Sequence, residues 1–145
     1  MSLTNLPTRW NLREMFATDE QWKDTMKKTI ALVDALAARQ GHLAQTPQEL
    51  LQTAHQYEEI QQNLYALFVF AHSNFDQNMA DSAAKELYES ASSSGTEIGE
   101  KLAFIAPELM QYSMEDYERY CQQLPQLTLY RLFAKDFFAK KEHIL

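Results

Sequence analysis

Four histidines, one cysteine and twenty acidic residues are the groups in this 145-residue sequence that bear most directly on chemistry. His55 opens the run HQYEE, in which Glu58 follows at the spacing of the helical zinc motif H-x-x-E-H. Glu59 occupies the place of the second histidine. A catalytic zinc normally takes three protein ligands and a water, and one histidine with two flexible carboxylates on a polar helix face falls short of that. His72 and Asp76 lie four apart, the spacing of a hydrogen-bonded pair on one helix face. His42 follows Gly41 in a turn, His143 sits near the last residue, and neither has a sequence partner that implies chemistry. Glu-x-x-His occurs nowhere, which removes the di-iron arrangement of helical bundles. A phosphate loop, a G-x-S-x-G elbow and a dinucleotide glycine fingerprint are also missing. Cys121, without a credible histidine partner, reads as a buried helix residue. These residues assemble no active site and call for no metal or cofactor in this chain; its acidic residues read as solvated helix faces and its aromatic stripes as core.

The elements that carry these residues are helices. Apolar residues make up 46% of the sequence against three glycines and four prolines, with Ala, Leu, Gln, Glu and Lys dominant, a helix-forming composition. Thr18 and Gln21 mark the start of a first helix over about 18–40. It carries Trp22, Met26, Ile30, Val33 and Ala37 at helical spacing and ends at Gly41. In TPQE, Thr46 is the cap, Pro47 the first helical residue and Glu49 the capping-box partner of a second helix over about 46–75. Its apolar register reads Leu50, Ala54, Tyr57, Leu64, Phe68, Ala71 and Phe75, with Gln61 in one seam position, a three-four repeat suited to antiparallel neighbours. A third helix, beginning near Asp76–Asn78 and covering about 77–105, carries Ala83, Leu87, Ala91, Ile98 and Leu102. Gly95 and Gly99 share a face of it, which predicts close approach of a neighbouring helix, or else of a substrate backbone.

Pro107 cannot donate a backbone hydrogen bond and disfavours helix at Ala106, so the third helix is expected to stop or bend just before it. A short turn of helix over about 107–111 then lets Phe104, Ile105, Leu109 and Met110 round a corner while staying buried, with Glu108 capping or solvated. Ser113 and Asp116 start a helix over about 113–123. Pro125 marks the next break, and the last helix covers about 126–141. There Leu127, Leu129, Tyr130, Leu132, Phe133, Phe137 and Phe138 extend most of the way round the wheel, and a helix apolar on most sides must be buried on most sides. Something beyond one neighbouring layer is expected to cover it. The fold class is therefore all-α, an antiparallel bundle of long helices followed by shorter ones, in a single domain over 1–145.

The net charge of −7 argues against a sequence-independent grip on nucleic acid or anionic membranes. The longest apolar run, LYALFVFA, is too short to span a bilayer, and MSLTNLPTRW lacks a basic segment followed by an apolar run, so export by a secretory signal is not expected. The lone cysteine fits a reducing compartment, so a cytoplasmic location is expected.

Four motifs in order extend this reading. RWNL at Arg9–Leu12 followed by DEQW at Asp19–Trp22 resembles the opening of the oligoendopeptidase F family of thimet-oligopeptidase-like zinc metallopeptidases. A long helix pair with a SNFDQN turn at Ser73–Asn78 fits the same pattern. LAFIAPEL is similar to the family's apolar-Pro-Glu-Leu segment, and LYRLFAKDFFAKKEHIL to its later helix and basic, histidine-containing stretch. The resemblance implies the N-terminal helical lobe of an oligopeptidase, with Phe104, Pro107, Glu108 and Leu109 as a family landmark in the wall of the substrate channel. It implies zinc in the full-length parent, oligopeptides as substrate, and a C-terminal catalytic domain as the partner that Phe133, Phe137 and Phe138 would meet. Family members are several times longer and carry H-E-x-x-H downstream, absent here. Glu142 also stands where the pattern has proline. The chain is therefore expected to be a catalytically inert fragment. The competing expectation is a stand-alone helical interaction module or homodimer, paired through exposed apolar surface and without enzymatic activity.

Overall fold

A computed structural model describes residues 15–143, with side chains through Lys140; the RWNL motif and the side chains of the 141–145 stretch lie outside the described residues. Every regular element among the described residues is helical. They are α1 (Asp19–Ala37), α2 (Pro47–Gln77), α3 (Ser82–Lys101), α4 (Ile105–Leu109), α5 (Met114–Gln123) and α6 (Arg131–His143), with a 3-10 segment over Pro125–Tyr130.

Local chemistry sets most helix starts. The Gln21 N–H donates to Thr18 Oγ1 at 3.1 Å, while the Gln21 side chain accepts from the Ala17 N–H at 2.8 Å, one residue further back than a regular capping box. The Glu49 N–H donates to Thr46 Oγ1. Ser113 and Asp116 form a full capping box, each side chain accepting from the other's backbone N–H. The boundary between α2 and α3 falls later than the sequence suggests. Ser73–Gln77 of SNFDQN is the last stretch of α2 and not the expected turn; Asn78, just beyond it, donates its side-chain amide to the Asn74 carbonyl, and Asp81 accepts from the Ala83 N–H to open α3.

The described chain divides into two compact units, residues up to Val33 with Glu59–Glu100, and Asp34–Glu58 with residues from Lys101 onward. In the first, Trp22, Met26 and Val33 are buried with Ile60, Leu64, Leu67, Phe70 and Ala71, and with Ala84, Leu87, Ala91 and Ile98. Leu64 and Ala71 hold the expected inward positions of α2, but Ile60, Leu67 and Phe70 complete the stripe where Phe68 and Phe75 were expected, and Gln61 is exposed. Trp22 Nε1 donates to the Leu67 carbonyl at 3.0 Å, so the indole buries without an orphaned donor. Phe75 meets Tyr88 at 4.9 Å and Gly95 faces Phe68, an order that makes α2 and α3 antiparallel. A Cβ on Gly95 would lie 3.1 Å from Phe68 Cζ, whereas one on Gly99 would meet nothing within 4 Å. Of the two glycines, only Gly95 makes the close helix contact.

In the second unit Tyr117, Cys121, Leu127 and Ala134 form a core flanked by Leu50, Leu51, Met114, Tyr120, Leu124 and Phe138. Tyr117 donates its hydroxyl to the Leu127 carbonyl, tying α5 to the 3-10 segment.

Candidate functional site

The Phe104–Leu109 corner lies in the second unit. Helix α3 ends at Lys101, the chain turns through Leu102–Phe104, and α4 begins at Ile105. Pro107 is therefore the third residue of a new helix and not the terminator of the old one. The first four N–H groups of a helix have no partner within it, so the proline loses nothing there, and Ala106 adopts helix in spite of the residue that follows. The expectation that Pro107 itself stops α3 is thereby corrected.

Glu108 neither caps its own helix nor sits free in water. One carboxylate oxygen accepts from the Gly41 N–H at 2.6 Å and the other from the Leu43 N–H at 3.0 Å. Gly41 has a φ of 89°, a conformation that favours glycine, and this turns the chain so that two nearby N–H groups converge on one carboxylate. The same connection is held from its other side. Arg39 donates to Thr53 Oγ1 and Gln56 Oε1 at 2.9 and 2.6 Å, and to the His42 and Glu49 carbonyls at 3.1 and 2.9 Å. The Thr53 hydroxyl donates to the Leu43 carbonyl at 2.7 Å, and the Tyr120 hydroxyl to that of Ala44 at 2.8 Å. Buried Leu43 and Ala44 carry polar backbone that must be paired, and these contacts pair it.

An open groove at this corner is lined by Gln40, Gly41, Gln45, Phe104, Pro107, Glu108, Gln111 and Tyr112. Burial pushes the Tyr112 phenol above its ordinary range, with the charges of Glu108, Glu49 and Asp116 acting in the same direction. The groove offers amides, a phenol and a carboxylate already bonded to backbone through both oxygens.

Among the sequence-predicted interface residues, Phe133 is exposed, whereas Phe137 and Phe138 are half-buried and in edge contact at 5.2 Å. Phe138 packs on the core of its unit. Leu129 and Leu132 join Phe133 in the exposed set. Leu109 and Phe104 are half-buried and Pro107 is exposed.

The histidine readings resolve differently from one another. His55 lies near the Tyr130 ring, with centroids 6.2 Å apart, and Tyr130 donates to Glu58 at 3.0 Å. His72 packs edge-on against Tyr88 at 4.8 Å. Among the described residues no group of three or more His, Cys, Asp or Glu side chains could hold a metal ion. Sequence reasoning missed Arg39 and Thr53, and placed Tyr117 and Tyr120 on their helix without the hydroxyl bonds they make. Thr53 carried a weak signal, a hydroxyl three residues after Leu50 on the otherwise apolar side of α2.

Fold and site together define an all-helical protein segment whose conspicuous side-chain chemistry goes into holding its own connections. The chain is homologous to a part of the oligoendopeptidase F family. It is 29% identical over 137 residues to the group B oligopeptidase PepB of Streptococcus agalactiae, which covers 94% of this chain and 23% of that protein. It is 30% identical over 140 residues to the chromosomal oligoendopeptidase F of Lactococcus lactis subsp. cremoris, with the same coverage, and 22% identical over 136 residues to the oligopeptidase PepF of Bacillus subtilis, covering 20% of it. The chain thus spans under a quarter of the length of the curated relatives it matches. No family model matches it, and no solved structure does. No helix among the described residues is long and apolar enough to cross a membrane.

Proposed function

We propose that this chain is the N-terminal helical part of a cytoplasmic zinc metalloendopeptidase that hydrolyses peptide bonds in oligopeptides, and that it walls part of the substrate channel without catalysing by itself. The observation that carries the reading is homology to oligopeptidases along 94% of the chain. The chain's own residues do not fit a catalytic zinc: H-E-x-x-H is absent from the sequence, and His55 with Glu58 and Glu59 lacks the ligand count. Zinc would be held by the C-terminal catalytic domain, which this chain would partner and with which it would enclose the oligopeptide.

An antibody raised against the chain tests this in the source cell. The expected product is roughly four times heavier than 16.9 kDa, and when captured it hydrolyses a quenched oligopeptide until a chelator is added. The purified 145-residue chain is inert in the same assay. Metal-dependent hydrolysis by the purified chain would refute inertness. A sole product near 17 kDa would replace the reading with a helical interaction module or homodimer, which the exposed Leu129, Leu132 and Phe133 otherwise favour.

A further inference from the structure

We infer that Leu129, Leu132 and Phe133 form the face through which the second unit docks onto an apolar surface of the remaining polypeptide of the longer oligopeptidase, an inference that rests on the function proposed above. The three side chains are 82%, 80% and 77% exposed. They stand at i, i+3 and i+4 across the junction of the 3-10 segment and α6, the spacing that places side chains on one helical face. Single exposed leucines are ordinary, but three large apolar groups at this spacing form a patch.

The other side of the same segment is already used. Leu127 and Ala134 are buried in the core they form with Tyr117 and Cys121, and Phe138 packs against that core, so turning α6 inward would expose one apolar set to cover the other. Polar groups bound the bare face. Arg131 makes a two-pronged contact with Glu118, both bonds at 2.8 Å, and Asp136 pairs with Lys140 at 3.1 Å. An apolar centre with a polar rim is the anatomy of an interface.

The size of the patch favours a tethered partner over a second copy. Three such side chains offer on the order of 400 Å², about half of the roughly 800 Å² per partner found in stable interfaces between separate molecules. A surface on the same polypeptide needs less, because the tether supplies a high effective concentration. The relatives that match this chain all extend well beyond the matched segment, so such a polypeptide exists in each of them.

Leu132→Cys provides the test, since Cys121 is buried, with exposed Gln122→Cys as the control. Each variant is labelled with a maleimide in the isolated 145-residue chain and in the long product from the source cell. The expected result is labelling at position 132 that is at least ~10-fold slower in the long product, with labelling at 122 unchanged. Equal rates at 132 in a long product overturn the docking face while leaving the proposed function standing. Protection at 132 in the isolated chain, with elution at twice its mass, overturns it in favour of a second copy. Absence of any long product overturns both.

Discussion

Replacing Glu108 with alanine removes the only carboxylate that reaches the Gly41 and Leu43 N–H groups in the described structure, at 2.6 and 3.0 Å. A hydrogen bond to a charged group contributes about 1.5–3 kcal/mol net. Gly41 is exposed, so water replaces much of its bond, whereas Leu43 is buried and its N–H only partly accessible. The expected loss for Glu108→Ala is therefore about 2–3 kcal/mol, or ~1–1.5 M in the urea midpoint for a slope near 2 kcal/mol per M. Glu108→Gln keeps the shape but turns an amide NH2 toward one of the two donors, and about 1–2 kcal/mol is expected. Glu59→Ala, at an exposed position of α2, is the control and should change stability by less than about 0.5 kcal/mol. Urea unfolding of the 145-residue chain, followed by far-ultraviolet circular dichroism, reads all three. A Glu108→Ala midpoint indistinguishable from the parent's, or a Glu108→Gln variant as stable as the parent, would refute the argument that this carboxylate holds the connection between α1 and α2.

Other perturbations have defined outcomes. Gly99→Ala adds a methyl in open space on α3 and should stabilise by about 0.5–1 kcal/mol, while Gly95→Ala presses on Phe68 and should gain less or lose; equal thermal midpoints would contradict the close approach. Asp116, held chiefly by the Ser113 backbone N–H and then by Arg119, and Glu118, held by Arg131, both lie below their ordinary carboxylate range. A depressed folded pKa contributes stability above the unfolded value that disappears as pH falls through the folded one, so the urea midpoint should fall below about pH 4. Asp116→Asn should make that fall shallower, and an unchanged acid limb would argue against it. Burial, reinforced by Cys121, pushes the Tyr117 phenol well above its usual range. Its stabilising contribution is complete below the ordinary tyrosine value and is lost as pH rises through the folded one, so an absorbance titration should lose its last phenolate step in Tyr117→Phe. That variant should also cost about 1 kcal/mol in urea by leaving the Leu127 carbonyl without the hydroxyl.

The candidate corner was only partly legible beforehand. LAFIAPEL marks a corner because proline and an apolar cluster coincide, yet the fate of Glu108 depends on Gly41 and Leu43, 67 and 65 positions earlier. Backbone N–H groups are identical along the chain, so nothing in residue identity pairs a carboxylate with two of them in advance. The family was legible in the order of four short motifs, and the homology to oligoendopeptidase F over 94% of the chain bears that resemblance out.

What the sequence by itself determined is what can be satisfied within about four residues. Thr18, Thr46 and Ser113 start helices because their acceptors meet N–H groups one turn ahead. The missing second histidine of HQYEE is likewise a matter of adjacent letters. Tertiary structure decided the rest. Helix α2 is apolar at both Tyr57–Leu64–Phe68–Phe75 and Ile60–Leu64–Leu67–Ala71 spacings, and only its neighbours select the second stripe. Gly95 and Gly99 are equivalent as letters but differ because Phe68 stands opposite one of them. Along the 3-10 segment and α6, Phe138 finds a core while Leu129, Leu132 and Phe133 find none, because a helical stretch can turn only part of its circumference toward its own unit.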